Sequence, residues 1–80
     1  MPSLANANVQ SRVIRALKRA GFEKRSGGKH TIMEHPDGRY TTIPNHARLK
    51  TPTLRAILRQ CGLTEVEYFE LYSGKRKPRQ

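Results

Sequence analysis

The sequence predicts a small α+β domain in the order helix, three antiparallel strands, helix, helix. Three observations support this. Apolar residues recur at helical spacing before Gly21 and again after Thr51. Between them lie short β-prone segments separated by glycine and by a proline turn. Capping residues stand where these segments should begin and end.

In the first segment Val9, Val13 and Leu17, with Ile14 beside them, form an apolar stripe. Asn8 is placed to cap its start, and Gly21 can take the left-handed position after Ala20. Arg12, Arg15, Lys18 and Arg19 fall mostly off the stripe, the usual place of a solvated face. The strands are expected at Phe22 to Arg25, Thr31 to Glu34 and Tyr40 to Ile43. Pro36-Asp37-Gly38 supplies the turn of a hairpin: proline presets φ, aspartate bonds nearby amides, and glycine accepts positive φ. Pro44 closes the last strand.

Thr51-Pro52 reads as a cap followed by a first-turn proline, with Leu54, Ile57 and Leu58 facing inward and Gly62 past the end. Thr64-Glu65-Val66-Glu67 fits a capping box, with Leu63 placed to staple against Tyr68, so a third helix should run to about Tyr72. Helices packed on one face of a three-stranded antiparallel meander make an α-β-β-β-α(-α) sandwich of the kind seen in double-stranded-RNA-binding domains. One domain is expected over residues 9–72, between a flexible N-terminus, 1–8, and a flexible basic tail, 73–80.

Eighty residues lie near the lower limit for a core without disulfide or metal support. Cys61, the single cysteine, rules out an intramolecular disulfide and fits a core position in a reducing compartment. Residues 1–7 lack the basic-then-apolar order of a secretory signal, and no apolar run approaches membrane-spanning length, so the protein is expected in the cytoplasm and off the membrane. Sixteen Lys and Arg against six Asp and Glu give a formal charge of +10, which favours a polyanion through counterion release. Nucleic acid is the first partner to consider.

Three histidines bear on chemistry. His30 follows Gly27-Gly28-Lys29 at the start of a strand, where glycine allows close approach of a phosphate and lysine neutralises it; an ordinary exposed side chain is the alternative. His35 precedes the turn proline and is read as structural. His46 lies in a loop with basic neighbours and either shares the surface of His30 or is simply solvated. Scattered histidines and one cysteine lack metal-site spacing, and no carboxylate pair or P-loop is present, so no metal or small-molecule cofactor is expected. A histidine beside a lysine can instead move the proton of an RNA 2′-hydroxyl while a cation steadies the phosphate.

The segments Val13 to Leu17, Ala20-Gly21-Phe22, Gly28-Lys29-His30, His35 to Arg39, Thr42 to His46 and Lys50 to Leu63 together resemble the HicA toxins, the mRNA interferases of HicAB toxin–antitoxin systems. The resemblance spans roughly Val9 to Tyr72. It implies a fold like that of double-stranded-RNA-binding domains, metal-independent cleavage of mRNA, and a HicB-type antitoxin that covers the site. It also implies a catalytic histidine after a glycine-rich turn, which falls on His30. Many members carry serine where this chain has Lys29, so substrate contact there differs.

The first reading is therefore an endoribonuclease with His30 as general acid or base. Lys29 stands near the scissile phosphate, and Lys24, Arg25, Gly28, Arg48, Lys50 and Arg55 are candidate RNA contacts. A non-catalytic RNA-binding module with the same basic face is the alternative. A third reading is a protein-interaction domain that is basic because its partner is acidic.

Overall fold

A computed structural model describes residues 3–27 and 29–74. After a single 3-10 turn, Leu4–Asn6, the elements are α1 (Gln10–Arg19), β1 (Glu23–Gly27), β2 (His30–Glu34), β3 (Tyr40–Ile43), α2 (Thr51–Cys61) and α3 (Glu65–Ser73). The α+β class and the expected order are both observed. The sheet is antiparallel in the order β1-β2-β3, with β2 central.

Register divides the sheet into two faces. Met33 pairs with Lys24 and Thr41, and Thr31 pairs with Ser26 and Ile43. That face carries the buried Met33, Thr41 and Ile43 and meets the helices, α1 over β1 and α2 over β3. The opposite face carries Arg25, His30, Ile32, Glu34, Tyr40 and Thr42, since successive strand residues alternate. Thr41, the buried polar residue of the core, donates its hydroxyl proton to the side-chain oxygen of Gln60 on α2.

The helices end as their sequences require. Gly21, at φ 98°, follows α1; its N–H bonds Lys18 O at 3.0 Å and that of Phe22 bonds Leu17 O at 3.0 Å, the double closure of a Schellman motif. Gly62, at φ 69°, does the same for α2. The Thr64 capping box is complete: Glu67 N–H donates to Thr64 Oγ1 at 3.1 Å and Thr64 N–H to Glu67 Oε1 at 3.0 Å. Leu54, Ile57 and Leu58 are buried as expected.

Two expectations near the N-terminus differ. Asn8 does not cap α1: its amide donates to Leu49 O at 2.8 Å, and the residue before the helix is Val9, with no side-chain cap. The reason is an isolated antiparallel bridge between Val9 and Arg48, which turns Asn8 toward the loop ahead of α2. Residues 3–8, within the segment expected to be flexible, send two side chains into the core while Ser3, Ala5 and Asn6 stay exposed. Leu4 and Ala7 are buried in the core, and the Tyr68 hydroxyl donates to Ala7 O. The α2 boundary also shifts by one residue, with Lys50 in the cap position and Thr51-Pro52 in the first turn.

Candidate nucleic-acid interface

Three contacts fix the direction of the helices over the sheet. β3 runs toward the β1–β2 turn, so its end at Ile43 lies beside Thr31 and His30. α2 starts just beyond at Thr51, and its last carbonyl group, Cys61 O, accepts from Arg39 at the opposite, hairpin end. α1 also starts at the His30 end, where Gln10 N–H donates to Ala47 O at 2.9 Å. It finishes at the hairpin end, where a Cβ on Gly21 would stand 3.0 Å from His35 Nε2.

Both helices thus present their N-termini, each equivalent to about half a positive charge, toward the end that carries Lys29, His30 and the 44–50 loop. Side-chain charge follows the same division. No acidic residue precedes Glu23, none lies between Glu23 and Glu34, and none lies between Asp37 and Glu65. Glu23 pairs in register with Glu34 at the hairpin end, near Asp37. The result is a cationic pole around His30 that the total charge alone did not locate.

The expected contact residues do not all share this pole. Lys29, His30, Arg48 and Lys50 are exposed there. Arg48 Nη1 lies 3.4 Å from Asn8 Oδ1, a loose hold. Lys24 and Arg25, adjacent in β1, project from opposite faces, so one flat ligand cannot take both. Arg25 is ion-paired to Glu34 at 3.2 Å and lies 3.8 Å from Glu23, and Arg55, one turn into α2, faces Glu65 at 3.8 Å. These pairs are exposed and weak, so a phosphate can displace them, but Lys29, Lys24 and Lys50 form no ion pair among the described residues. Gly28 lies outside the described residues, as do residues 75–80 of the basic tail.

His46 is also at the pole, in a concavity of about 430 Å³ lined by Pro44, Arg48, Lys50 and Thr53 among others. His35 is structural, as read from the sequence: its ring meets Phe22 edge-on at 5.1 Å, and its Nδ1 accepts from Asp37 N–H at 3.1 Å. Among the described residues, no three His, Cys, Asp or Glu side chains gather as a metal site would need.

Several arginines that sequence reasoning treated as a solvated face or left unassigned are structural. Arg19 Nη1 donates to Leu71 O at 2.6 Å and Arg12 Nη2 to Tyr72 O at 3.4 Å, capping the C-terminus of α3; Arg12 also lies over the Tyr72 ring at 4.3 Å. Arg39 bonds Asp37 Oδ2 at 2.7 Å, reaches Cys61 O and covers Phe22, tying the hairpin to α2. Arg12, Arg19 and Arg39 therefore belong to the scaffold. The Gly after α2 and the Asp two residues before Arg39 were the only available hints.

Fold and pole together define a small basic α+β domain with an exposed histidine at the end of the sheet where two helices begin. The family described as "HicA toxin of bacterial toxin-antitoxin" matches residues 11–63, well over half of the 80-residue chain, and the chain belongs to that family. It is a toxin of a toxin–antitoxin system, and an antitoxin is its implied partner. A search of curated proteins finds no match to the chain. Among the described residues no helix is long and apolar enough to cross a membrane.

Proposed function

We propose that this toxin is a metal-independent endoribonuclease that cleaves mRNA in the cytoplasm, with His30 as the catalytic residue and a HicB-type antitoxin as its inhibitor. The observation that carries this reading is the placement of His30. It is exposed on the open sheet face, at the end of the sheet that also carries Lys29, Arg48, Lys50 and the starts of two helices. An imidazole there can accept the 2′-hydroxyl proton while the cations stabilise charge on the phosphate. DNA, lacking that hydroxyl, is not cut by this route.

Lys29 lies next to the scissile phosphate. Arg48 and Lys50 hold the flanking backbone, with Gly28 allowing close approach and Arg55 adding a contact; of Lys24 and Arg25, which face apart, Arg25 shares the open face with His30 and is the one that reaches the same RNA. An antitoxin that covers the same pole silences the toxin by competition for it.

The test is growth and total-RNA integrity after induction of the wild-type chain and His30→Ala side by side. Growth arrest with RNA loss in the wild type alone is expected. Harmlessness of both, with soluble expression shown, overturns the nuclease reading and leaves a non-catalytic RNA-binding module.

A further inference from the structure

Phosphodiester transesterification needs two proton transfers: one from the 2′-hydroxyl and one to the departing 5′-oxygen. His30 supplies a single group. The structure brings a second imidazole to the same pole. The last pair of the β2–β3 ladder is Thr31 with Ile43. His30 directly precedes Thr31 and Pro44 directly follows Ile43, so both leave the ladder at this end. The chain then folds back at once, because His46 N–H donates to Pro44 O at 2.9 Å. His46 is exposed, and with Pro44 and Lys50 it lines the concavity beside the start of α2. Its imidazole has no hydrogen bond, ion pair or ring contact among the described residues. His35, by contrast, is held by Phe22 and Asp37 at the far end of the molecule.

We propose that His46 is the general acid of the reaction, protonating the 5′-oxygen while His30 acts as base. This rests on the nuclease reading above. The scissile phosphate lies over Pro44, between the two imidazoles. His30 takes the proton of the 2′-hydroxyl, the 2′-oxygen forms a bond to phosphorus, and the bond from phosphorus to the 5′-oxygen breaks. The imidazolium of His46 gives its proton to that oxygen. The products are a 2′,3′-cyclic phosphate and a 5′-hydroxyl, and Lys29 and Lys50 balance the charge of the non-bridging oxygens throughout.

The experiment compares single-turnover cleavage of two RNA oligonucleotides by the purified full chain, His30→Ala, His46→Ala and His46→Gln. One RNA is ordinary, and the other carries sulfur in place of the 5′-oxygen at the cleaved position. A thiolate leaves without protonation, so the sulfur substrate does not need an acid. On ordinary RNA both His46 variants should lose a hundredfold or more, the range of general acid catalysis. On the sulfur substrate they should recover to near the wild-type rate, whereas His30→Ala should stay slow on both. Binding of a 2′-O-methyl RNA, which cannot be cleaved, should be unchanged in His46→Gln. Wild-type rates for the His46 variants on ordinary RNA overturn the proposal, as does an equal loss on both substrates or a loss explained by weaker binding. A wild-type chain that cleaves neither RNA overturns the nuclease reading itself, an outcome distinct from an active wild type with indifferent His46.

Discussion

Gly21 and Asp37 show how single side chains set the hairpin end of the molecule. Gly21 adopts φ 98°, and a Cβ there would lie 3.0 Å from His35 Nε2, so backbone and contact both disfavour a larger residue. Gly21→Ala should destabilise the fold by about 1–2 kcal/mol, the cost of left-handed backbone for an L-residue, read as a lower urea midpoint with unchanged m-value. Asp37 accepts the backbone N–H of Arg39 at 3.0 Å, and this bond, followed by the Arg39 guanidinium, holds its carboxyl below the usual carboxylate range. A carboxyl with a lowered folded-state pKa contributes stability above its unfolded value and loses it as pH falls through the folded one. Asp37 should therefore titrate below the ordinary aspartate value in a side-chain NMR titration, and Asp37→Asn should narrow the difference in stability between neutral and acidic pH. Cys61 fits the same pattern of local control: burial pushes its thiol up to about 12, so it is a packing residue rather than a nucleophile.

α3 depends on its two ends for different reasons. Its start is encoded locally, by Thr64 and Glu67 within one turn. Its finish is held from α1, by Arg19 on Leu71 O and Arg12 on Tyr72. Thr64→Ala should cost about 1 kcal/mol, as loss of an N-cap does. Arg19→Ala should cost a similar amount, about 1 kcal/mol for a cation at a helix C-terminus, and that loss should shrink at high salt more than the Thr64 loss. Urea denaturation of both variants at low and high ionic strength checks the difference. α1 and α2 contribute beyond their packing: because both start at the His30 end, their dipoles reinforce the cationic loop rather than oppose it.

Across the entire domain, the core reaches further along the chain than the helical and strand patterns alone indicate. Leu4 is 3% exposed and sits in the same cluster as Leu54, Tyr68 and Leu71. Leu4→Ala should cost about 2–5 kcal/mol, the range for deleting a buried leucine side chain, a large share of the stability of so small a domain and measurable as a lower thermal midpoint. Local signals made most of the elements legible in the sequence. The helical stripes, the Pro36-Asp37-Gly38 turn, the capping box and the two glycine stops each act within a few residues of where they are written. β3 runs over Tyr40–Ile43 as expected, while β1 extends to Gly27 and β2 begins at His30 because cross-strand pairing carries the ladder into the glycine-rich turn. The candidate histidine of the proposed site was legible too, because His30 follows Gly27-Gly28-Lys29 in a strongly basic chain. What the tertiary structure decided were relations between distant segments: that Lys24 and Arg25 face apart, that Arg12, Arg19 and Arg39 cap carbonyls of other elements, and that Leu4 joins the core. It also brought His46 to the same pole as His30. Spacing along a chain fixes period and caps, but only packing determines which of many like charges meet a carbonyl, a carboxylate or open solvent.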